Sequence, residues 1–186
     1  MLGYAFCGSF CTHAASLAEL EKLTAAGEDI LPIMSDTVYE TDTRFGKAKE
    51  FVGRVTELCG KDVIHTIKDA EPLGPKITLE ALIVAPCTGN TLSKMARGIT
   101  DTPVTMAAKA HMRCNRPLLI ALASNDAMFA NLSSISVMLQ RKSVYFVPLR
   151  QDDPVSKPHS LVADFSKLGE SLAALRRGEQ LRPLFV

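Results

Sequence analysis

Short apolar runs without polar alternation recur along this chain, and segments with helical periodicity separate them. A strand that is apolar at every position is buried on both faces, and such strands occur in parallel sheets covered by helices on either side. Right-handed crossovers through those helices join the strands. The pattern therefore predicts an α/β fold with a three-layer, doubly wound parallel sheet of flavodoxin-like or Rossmann-like type. The predicted strands are Leu2–Cys7, Ile30–Met34, Leu82–Val84, Leu118–Ala123 and Val144–Val147.

The segments between these strands carry apolar residues at steps of three and four, as amphipathic helices do. No internal repeat, low-complexity stretch or linker divides the chain, so we expect a single domain over residues 1–186. The predicted helices are Thr12–Ala26, Ala48–Cys59, Leu92–Ile99, Pro103–Asn115, Leu132–Leu139 and Phe165–Leu175.

Four further segments do not fit a regular helix or a central strand. Ser35–Arg44 is expected to be a loop, and Glu71–Pro75 a surface loop, because proline lacks the amide proton and glycine adds flexibility. Asp152–Pro158 carries two prolines and predicts an extended excursion from the domain. Arg182–Val186 is expected to close the edge of the domain.

Charge and cysteine content exclude several classes of protein. The net charge of +1 predicts no nucleic-acid partner and no anionic membrane partner. No apolar run approaches the roughly 20 residues that span a bilayer, and no basic leader precedes the first strand, which predicts a cytoplasmic protein. The five cysteines form no CxxC pair and the four histidines do not cluster. We therefore expect reduced thiols and no metal site.

The stretch Ala85–Lys94 joins the third strand to a helix through a small polar loop. Backbone amides and the positive end of a helix dipole meet in such a loop, which is a common setting for a bound phosphate. Similar polar loops follow the first two strands, although each can also be a helix cap or a strand-ending turn. The candidate donors to a phosphate or a flavin edge are Gly8, Ser9, Thr12, Ser35, Thr88, Gly89, Asn90 and Thr91.

Two residues near these loops have alternative roles. Asn125, after the fourth strand, has an amide that can hydrogen-bond the edge of a ring, but the spacing favours a simple Asn-Asp helix start. Cys87 has no histidine near it in the sequence to activate its thiol, so we expect a small buried side chain. No residue of the chain is identified as catalytic from these patterns.

Two of the loops resemble motifs of the homo-oligomeric flavin-containing cysteine decarboxylases. Ala85–Thr91 resembles their Pro-Ala-Ser-Ala-Asn-Thr motif, and Ser124–Phe129 is similar to their Pro-x-Met-Asn-x-x-Met-Trp motif. The resemblance implies a homo-oligomer that binds FMN, with the ring near Asn125. The decarboxylases carry a histidine shortly before the third strand, whereas residues 72–78 contain none, which argues against cysteine decarboxylation. The implied contacts to the phosphate and ribityl side are Gly8, Ser9, Ser35, Thr88, Gly89, Asn90 and Thr91.

A narrower resemblance, to the dipicolinate synthase B-subunit family, extends over nearly the whole chain. It implies an oxidoreductase subunit that works with a Rossmann-type A subunit in the mother-cell cytoplasm of a sporulating bacterium. The implied reaction converts dihydrodipicolinate, or its hydroxylated tetrahydro precursor, to dipicolinate. The resemblance is carried by Gly8-Ser9, Cys11-Thr12, Thr43–Gly46, Ala70–Lys76, Thr100–Val104, Met106–Lys109, Gln151–Pro154 and Lys157-Pro158.

The hydride acceptor of that reaction is then FMN on this chain or NAD(P) on the A subunit. Two functions stay open beside it: a flavin-dependent decarboxylase or prenyltransferase relative, and a non-catalytic partner of the A subunit. A substrate with two carboxylates calls for cations, each of which is alternatively a solvated surface charge. The candidates for binding this pyridine dicarboxylate precursor are Arg44, Lys76, Lys109 and Arg113.

Overall fold

A computed structural model describes residues 1–186 and contains one seven-stranded sheet with eight α-helices. The strands are β1 (Leu2–Phe6), β2 (Ile30–Met34), β3 (Leu82–Thr88), β4 (Leu118–Ser124), β5 (Val144–Phe146), β6 (Leu149–Asp153) and β7 (Lys157–Ala163). The helices are α1 (His13–Ala25), α2 (Asp36–Glu40), α3 (Ala48–Cys59), α4 (Ile67–Ala70), α5 (Gly89–Arg97), α6 (Pro103–Met112), α7 (Leu132–Leu139) and α8 (Leu168–Arg176). The predicted flavodoxin-like α/β fold is confirmed.

The strand order β2-β1-β3-β4-β7-β6 places the topological switch point between β1 and β3. From β1 the chain moves outward to β2, then returns to β3 on the other side of β1. Strand β4 is long enough to pair twice, in parallel with β5 at Leu118–Ile120 and antiparallel with β7 at Ala123 and Ser124. In open sheets of this type the crevice at the switch point receives ligands.

The sheet is mixed rather than wholly parallel, because β6 and β7 form an antiparallel hairpin. Three residues separate them, whereas a parallel connection needs a crossover of a dozen residues or more. Asp153 Oδ1 accepts hydrogen bonds from the amides of Val155 and Ser156 and so closes the turn. The extended excursion predicted at Asp152–Pro158 is this hairpin.

The middle strands form the core. Every residue of β1 is buried, as are residues 82–87 of β3. Helix α1 contacts both α3 and α8 beside this core, while α4 packs on α6 and α5 packs on α6 and α7. The apolar runs without polar alternation are therefore explained by burial on both faces.

Two predicted loops contain more structure than expected. Within Ser35–Arg44 the chain forms the short helix α2. The surface loop predicted at Glu71–Pro75 is wrong at its centre, where Leu73 is fully buried. Gly74 has a φ of 111° there, and a Cβ atom built on it would clash with the carbonyl oxygen of Ala110 on α6. The loop therefore packs into the protein, which the proline and glycine signals did not indicate.

At the other end of the chain, Arg182–Val186 lies at the sheet edge as predicted. Phe185 makes a parallel bridge to Leu149, and the amide of Val186 donates to the Leu149 carbonyl oxygen. The terminal segment therefore covers the first residue of the edge strand β6.

Candidate functional site

A cavity of about 1120 Å³ opens at the carboxyl ends of β1, β3 and β4. It lies at the switch point of the sheet, where α/β proteins bind ligands, and it is as large as the upper end of small-molecule sites, roughly 1,000 Å³. We call it the switch-point cavity. The loop after β1, the start of α5, the residues after β4, the turn at residues 44–45 and the β6–β7 hairpin line it.

The loop after β1 is held by its own side chains. Thr12 Oγ1 donates to the carbonyl oxygen of Ser9 at 2.8 Å and lies 3.1 Å from Ser9 Oγ. A Cβ atom on Gly8 would lie 3.3 Å from Thr37 Cγ2, so helix α2 packs closely against this glycine. The hydroxyl groups of Ser9 and Thr12 thus line the cavity, and the loop that carries them is closely packed.

The loop after β3 begins α5 with a side-chain cap. Thr88 Oγ1 accepts a hydrogen bond from the amide of Thr91 and donates one to Thr91 Oγ1, so both hydroxyls stabilise the helix start. Gly89 follows in tight surroundings, since a Cβ atom there would lie 2.5 Å from Ser124 Oγ and 2.7 Å from Asn131 Nδ2. Only glycine fits between the two strand ends at this point.

A hydrogen-bonded network behind Gly89 centres on the carboxylate of Asp126. Asp126 Oδ1 accepts from Ser124 Oγ at 2.7 Å and from Asn131 Nδ2 at 2.6 Å. The Ser124 hydroxyl, with a further contribution from the Asn131 amide, holds the pKa of Asp126 below its usual range. Asn131 in turn accepts from Ser93 Oγ on α5. The network fixes the end of β4 against the start of α5.

Charged side chains surround the mouth of the switch-point cavity. Lys157 Nζ pairs with Asp152 Oδ2 at 2.6 Å across the hairpin. Arg97 donates to the carbonyl oxygen of Ser93 and to Ser134 Oγ. Arg44 makes no ion pair and lies with its Cζ atom 4.9 Å from the centre of the Phe45 ring. Arg44 is therefore the lining cation that makes neither an ion pair nor a side-chain hydrogen bond within the protein, and its guanidinium contacts only the face of the Phe45 ring.

The structure brings together eight of the thirteen residues singled out from the sequence. Ser35 and Thr91 are buried beside the switch-point cavity without lining it. Lys76 precedes the amino end of β3, the opposite end from the cavity, because it lies in the segment that leads into this strand. Lys109 and Arg113 line a separate cavity. The eight lining residues are Gly8, Ser9, Thr12, Arg44, Thr88, Gly89, Asn90 and Asn125.

Two buried thiols lie below the cavity. Burial raises the pKa of Cys7 to about 11 and that of Cys87 well above its usual value, so both are protonated at neutral pH. Cys87 is fully buried, which confirms the prediction of a small core side chain. Neither thiol is placed or charged to act as a nucleophile.

Several lining residues were missed by sequence reasoning. Among them are Asp126 and Asn131, the partners of Gly89. The helix start expected at Asn125 and Asp126 is wrong, because these residues form a turn and α7 begins only at Leu132. Asp152 and Lys157 come from the hairpin, whose proline-bearing turn indicated an excursion but not its direction. The contacts of Asp126 and Asn131 with Gly89 and Ser93 span 37 to 42 residues along the chain, so no local spacing could have indicated them.

Comparison with known proteins agrees with this geometry. Residues 20–164 match the sequence model of the flavoprotein family. The dipicolinate synthase B subunit of Bacillus subtilis (strain 168) is 39% identical over 185 residues, covering 100% of this chain and 92% of that protein. None of the helices is long and apolar enough to cross a membrane.

Two solved structures are similar to this protein in fold. The crystal structure of the dipicolinate synthase B subunit from Bacillus halodurans C superposes with a TM-score of 0.91 at 37% identity, covering 100% of this chain and 95% of that one. The FMN-dependent cysteine decarboxylase SpaF has a TM-score of 0.67 at 19% identity, with 95% of each chain covered, and so shares the fold. The chain therefore belongs to the flavoprotein family and is similar over its full length to dipicolinate synthase B subunits.

Proposed function

We propose that this chain binds FMN in the switch-point cavity and is the B subunit of a dipicolinate synthase. The observation that carries the proposal is a ligand-sized cavity at the switch point of a flavoprotein-family sheet, in a chain 39% identical to the dipicolinate synthase B subunit of Bacillus subtilis. The proposed partner is a Rossmann-type A subunit, and the proposed substrate is dihydrodipicolinate or its hydroxylated tetrahydro precursor. The proposed place of action is the mother-cell cytoplasm during sporulation.

The residues present fit a flavin. Ser35 Oγ, beside the end of β1, is buried without a hydrogen-bond partner, and an unpaired buried hydroxyl costs about 1–3 kcal/mol. A phosphate oxygen reaching the β1 and β2 loops would satisfy it together with Ser9. Gly89 and Asn90 line the cavity at the start of α5, so the positive end of this helix dipole lies where a phosphate would bind. Asn125 is exposed on the β4 side, where the ring would lie.

FMN, when bound, supplies a two-electron acceptor, while the chain binds and orients the substrate. Oxidising a dihydropyridine dicarboxylate to the aromatic product removes one hydride and one proton. Arg44 is the cation at the cavity mouth that is free to bind a substrate carboxylate. NAD(P) on the A subunit is the other candidate for the hydride acceptor.

We also propose that the chain assembles with copies of itself. Phe45 is 55% exposed and lines the cavity, and Phe129, next to the lining residue Ala130, is 75% exposed. Large apolar side chains left in water at the rim of a site are typical of surfaces that a partner covers. The purified chain is expected to sediment as a multiple of its 20.2 kDa mass, and a monomer at micromolar concentration would contradict this.

Dipicolinate formation, followed by ultraviolet absorbance, tests the proposal in three samples: the isolated A subunit, this chain by itself, and the two together. We expect a rate only, or at least about tenfold higher, with the two together. Flavin titration of this chain should show stoichiometric FMN uptake. Arg44→Gln should lower the rate without preventing FMN uptake, whereas Arg182→Gln, a change to an exposed arginine outside the cavity, should leave both unchanged.

Each of the two other candidate functions predicts a different result. Rate enhancement without FMN uptake would identify a non-catalytic partner of the A subunit. Release of carbon dioxide from a thiol substrate that carries a carboxylate, catalysed by the flavin-bound protein, would identify a decarboxylase. No histidine lines the switch-point cavity, which weighs against the decarboxylase. Failure to bind flavin, together with no effect on the rate of the A subunit, would overturn the proposal.

A further inference from the structure

A second cavity, of about 250 Å³, lies between the ends of α5, α6 and α7 and shares no lining residue with the switch-point cavity. Gly89 and Asn90 at the start of α5 belong to the first cavity, whereas Met95 and Gly98 at its end belong to the second. A nine-residue helix is about 13 Å long, so the two cavities lie toward opposite ends of α5. We call this second site the α5-end cavity.

Three cations line the α5-end cavity, and no carboxylate does. Lys109 and Arg113 are four residues apart, at the end of α6 and just beyond it, and therefore lie on the same side of the helix. Like charges at this spacing repel each other. None of Lys109, Arg113 or the third cation, Arg141, belongs to any of the ion pairs of the protein. The positive charge of this cavity is thus left without a protein counter-ion.

Arg141 is held in place by the end of α5. Its Nη2 atom donates to the carbonyl oxygens of Ala96 at 3.2 Å and Met95 at 3.4 Å, which carry the negative end of the helix dipole. Its Nη1 atom lies 3.8 Å from Met112 Sδ. Because Arg141 offsets the dipole at the helix end, Lys109 and Arg113 remain free to bind an anion.

Apolar side chains line the cavity beside the cations, together with Thr100 and Thr105. Met95, Met112 and Ile99 line the cavity, and Ile99 is 44% exposed to solvent. Methionine and isoleucine side chains pack well on a flat ring, and the flexible thioethers adapt to its shape. An inorganic anion would contact the cations but leave these walls in water. The combination favours an organic anion with a flat apolar body.

We propose that the α5-end cavity binds an aromatic dicarboxylate, with its two carboxylates on Lys109 and Arg113 and its ring against the apolar side chains that line the cavity. The assignment uses only the chemistry of this cavity and does not depend on flavin in the switch-point cavity. It also gives Lys109 and Arg113 a site of their own, since both were expected from the sequence to bind substrate beside the cofactor.

Methyl-labelled protein tests the proposal directly. Met95, Met112 and Ile99 line the α5-end cavity, and neither methionine nor isoleucine lines the switch-point cavity. Titration of the full chain with pyridine-2,6-dicarboxylate or benzene-1,3-dicarboxylate should shift the methyl resonances of these three residues. Saturable shifts with both compounds, and weaker or absent shifts with inorganic phosphate, support the proposal. Equal shifts with phosphate would overturn the aromatic ligand class.

Substitutions of the lining cations test which residues bind the dicarboxylate. Lys109→Gln and Arg113→Gln should each weaken the dicarboxylate affinity about tenfold, since a charge-assisted hydrogen bond is lost. Lys142→Gln removes an exposed charge next to Arg141 that does not line the cavity, and should leave the affinity unchanged. FMN titration of the same variants should be unaffected. No methyl shift with either dicarboxylate, or shifts that Lys142→Gln abolishes and the other two variants do not, would overturn the proposal.

Discussion

Gly89 shows how one residue position sets the shape of the candidate site. The chain leaves β3 and enters α5 at this glycine, where Ser124, Asp126 and Asn131 approach within contact distance of the place where a Cβ atom would stand. Those three side chains are hydrogen-bonded to one another and cannot move apart without breaking the network. The absence of a side chain at this position is therefore a condition for closing the β4 end onto α5.

The change Gly89→Ala tests this condition, with Gly53→Ala as its matched control. The added methyl group at position 89 should destabilise the protein by about 1–3 kcal/mol through overpacking and should weaken FMN uptake. Gly53 is exposed in the middle of α3 with nothing within 4 Å of an added Cβ atom, so alanine should stabilise the helix by about 0.5–1 kcal/mol. Urea unfolding measures both changes. A Gly89→Ala protein as stable as the parent would contradict the packing described.

At the scale of elements, a buried chain of hydrogen bonds joins β1, α1 and β3. The Tyr4 hydroxyl lies 2.9 Å from both the carbonyl oxygen and Oγ of Ser16 on α1. Ser16 Oγ donates to the carbonyl oxygen of Ala85 at 2.6 Å, next to the bulge at which β3 shifts its register against β4. Burial raises the pKa of Tyr4 well above its usual value, so the hydroxyl stays protonated as a donor. This chain fixes α1 behind the two strands that flank the switch point.

Removing the first link by Tyr4→Phe should lower the free energy of unfolding by about 1–3 kcal/mol, because buried Ser16 atoms lose a partner. Tyr145→Phe is the matched control, since Tyr145 is half-buried on β5 and its hydroxyl makes no hydrogen bond within the protein. The control should change stability by less than about 0.5 kcal/mol. Denaturant titrations measure the free energy of unfolding of both variants. An equal loss in the two variants would show that the hydrogen bonds of the Tyr4 hydroxyl do not stabilise the protein.

For the whole molecule, two buried histidines couple global stability to pH. His13 Nε2 lies 2.8 Å from the carbonyl oxygen of Cys7 and its ring stacks on Phe51, while His111 Nε2 lies 2.8 Å from the Pro117 carbonyl oxygen. Burial lowers the pKa of both imidazoles in the folded protein below the ordinary value of 6.5. The unfolded chain therefore binds protons that the folded chain does not.

The sign of the pH effect follows from this difference. Stability from the two neutral imidazoles is fully present above about pH 7.5 and decreases as the pH falls through 6.5 toward the lowered folded-state values. Each histidine contributes a slope of at most about 1.4 kcal/mol per pH unit. Urea unfolding between about pH 7.5 and 5.5 should show the decline, above the range where carboxylates titrate. His111→Gln should make the decline less steep and leave the contribution of His13, whereas replacement of the exposed His159 should not change it.

Most of the fold could be predicted because its signals are local. The run Leu132–Leu139 matches α7 at both ends, and Gly60, with a φ of 61°, ends α3 where the sequence places a stop. The strands β1 to β4 differ from their predicted bounds by at most one residue, except that β3 extends to Thr88 through the predicted loop. The hairpin strands β6 and β7 lie outside the predicted strands, since β6 is mostly polar and exposed and β7 begins with three exposed residues.

The amino-acid sequence by itself determined the fold class, the family and the loops at the strand ends, because apolar periodicity, capping residues and loop motifs are properties of neighbouring positions. Only the tertiary structure decided which charges meet. It placed Arg44 at the switch-point cavity, left Lys76 at the far end of β3, and joined Lys109 and Arg113 to Arg141 in a second cavity. The reason is physical: a contact between side chains depends on how distant segments pack, and charged residues on exposed loops and helix faces carry no periodic signal of their partners.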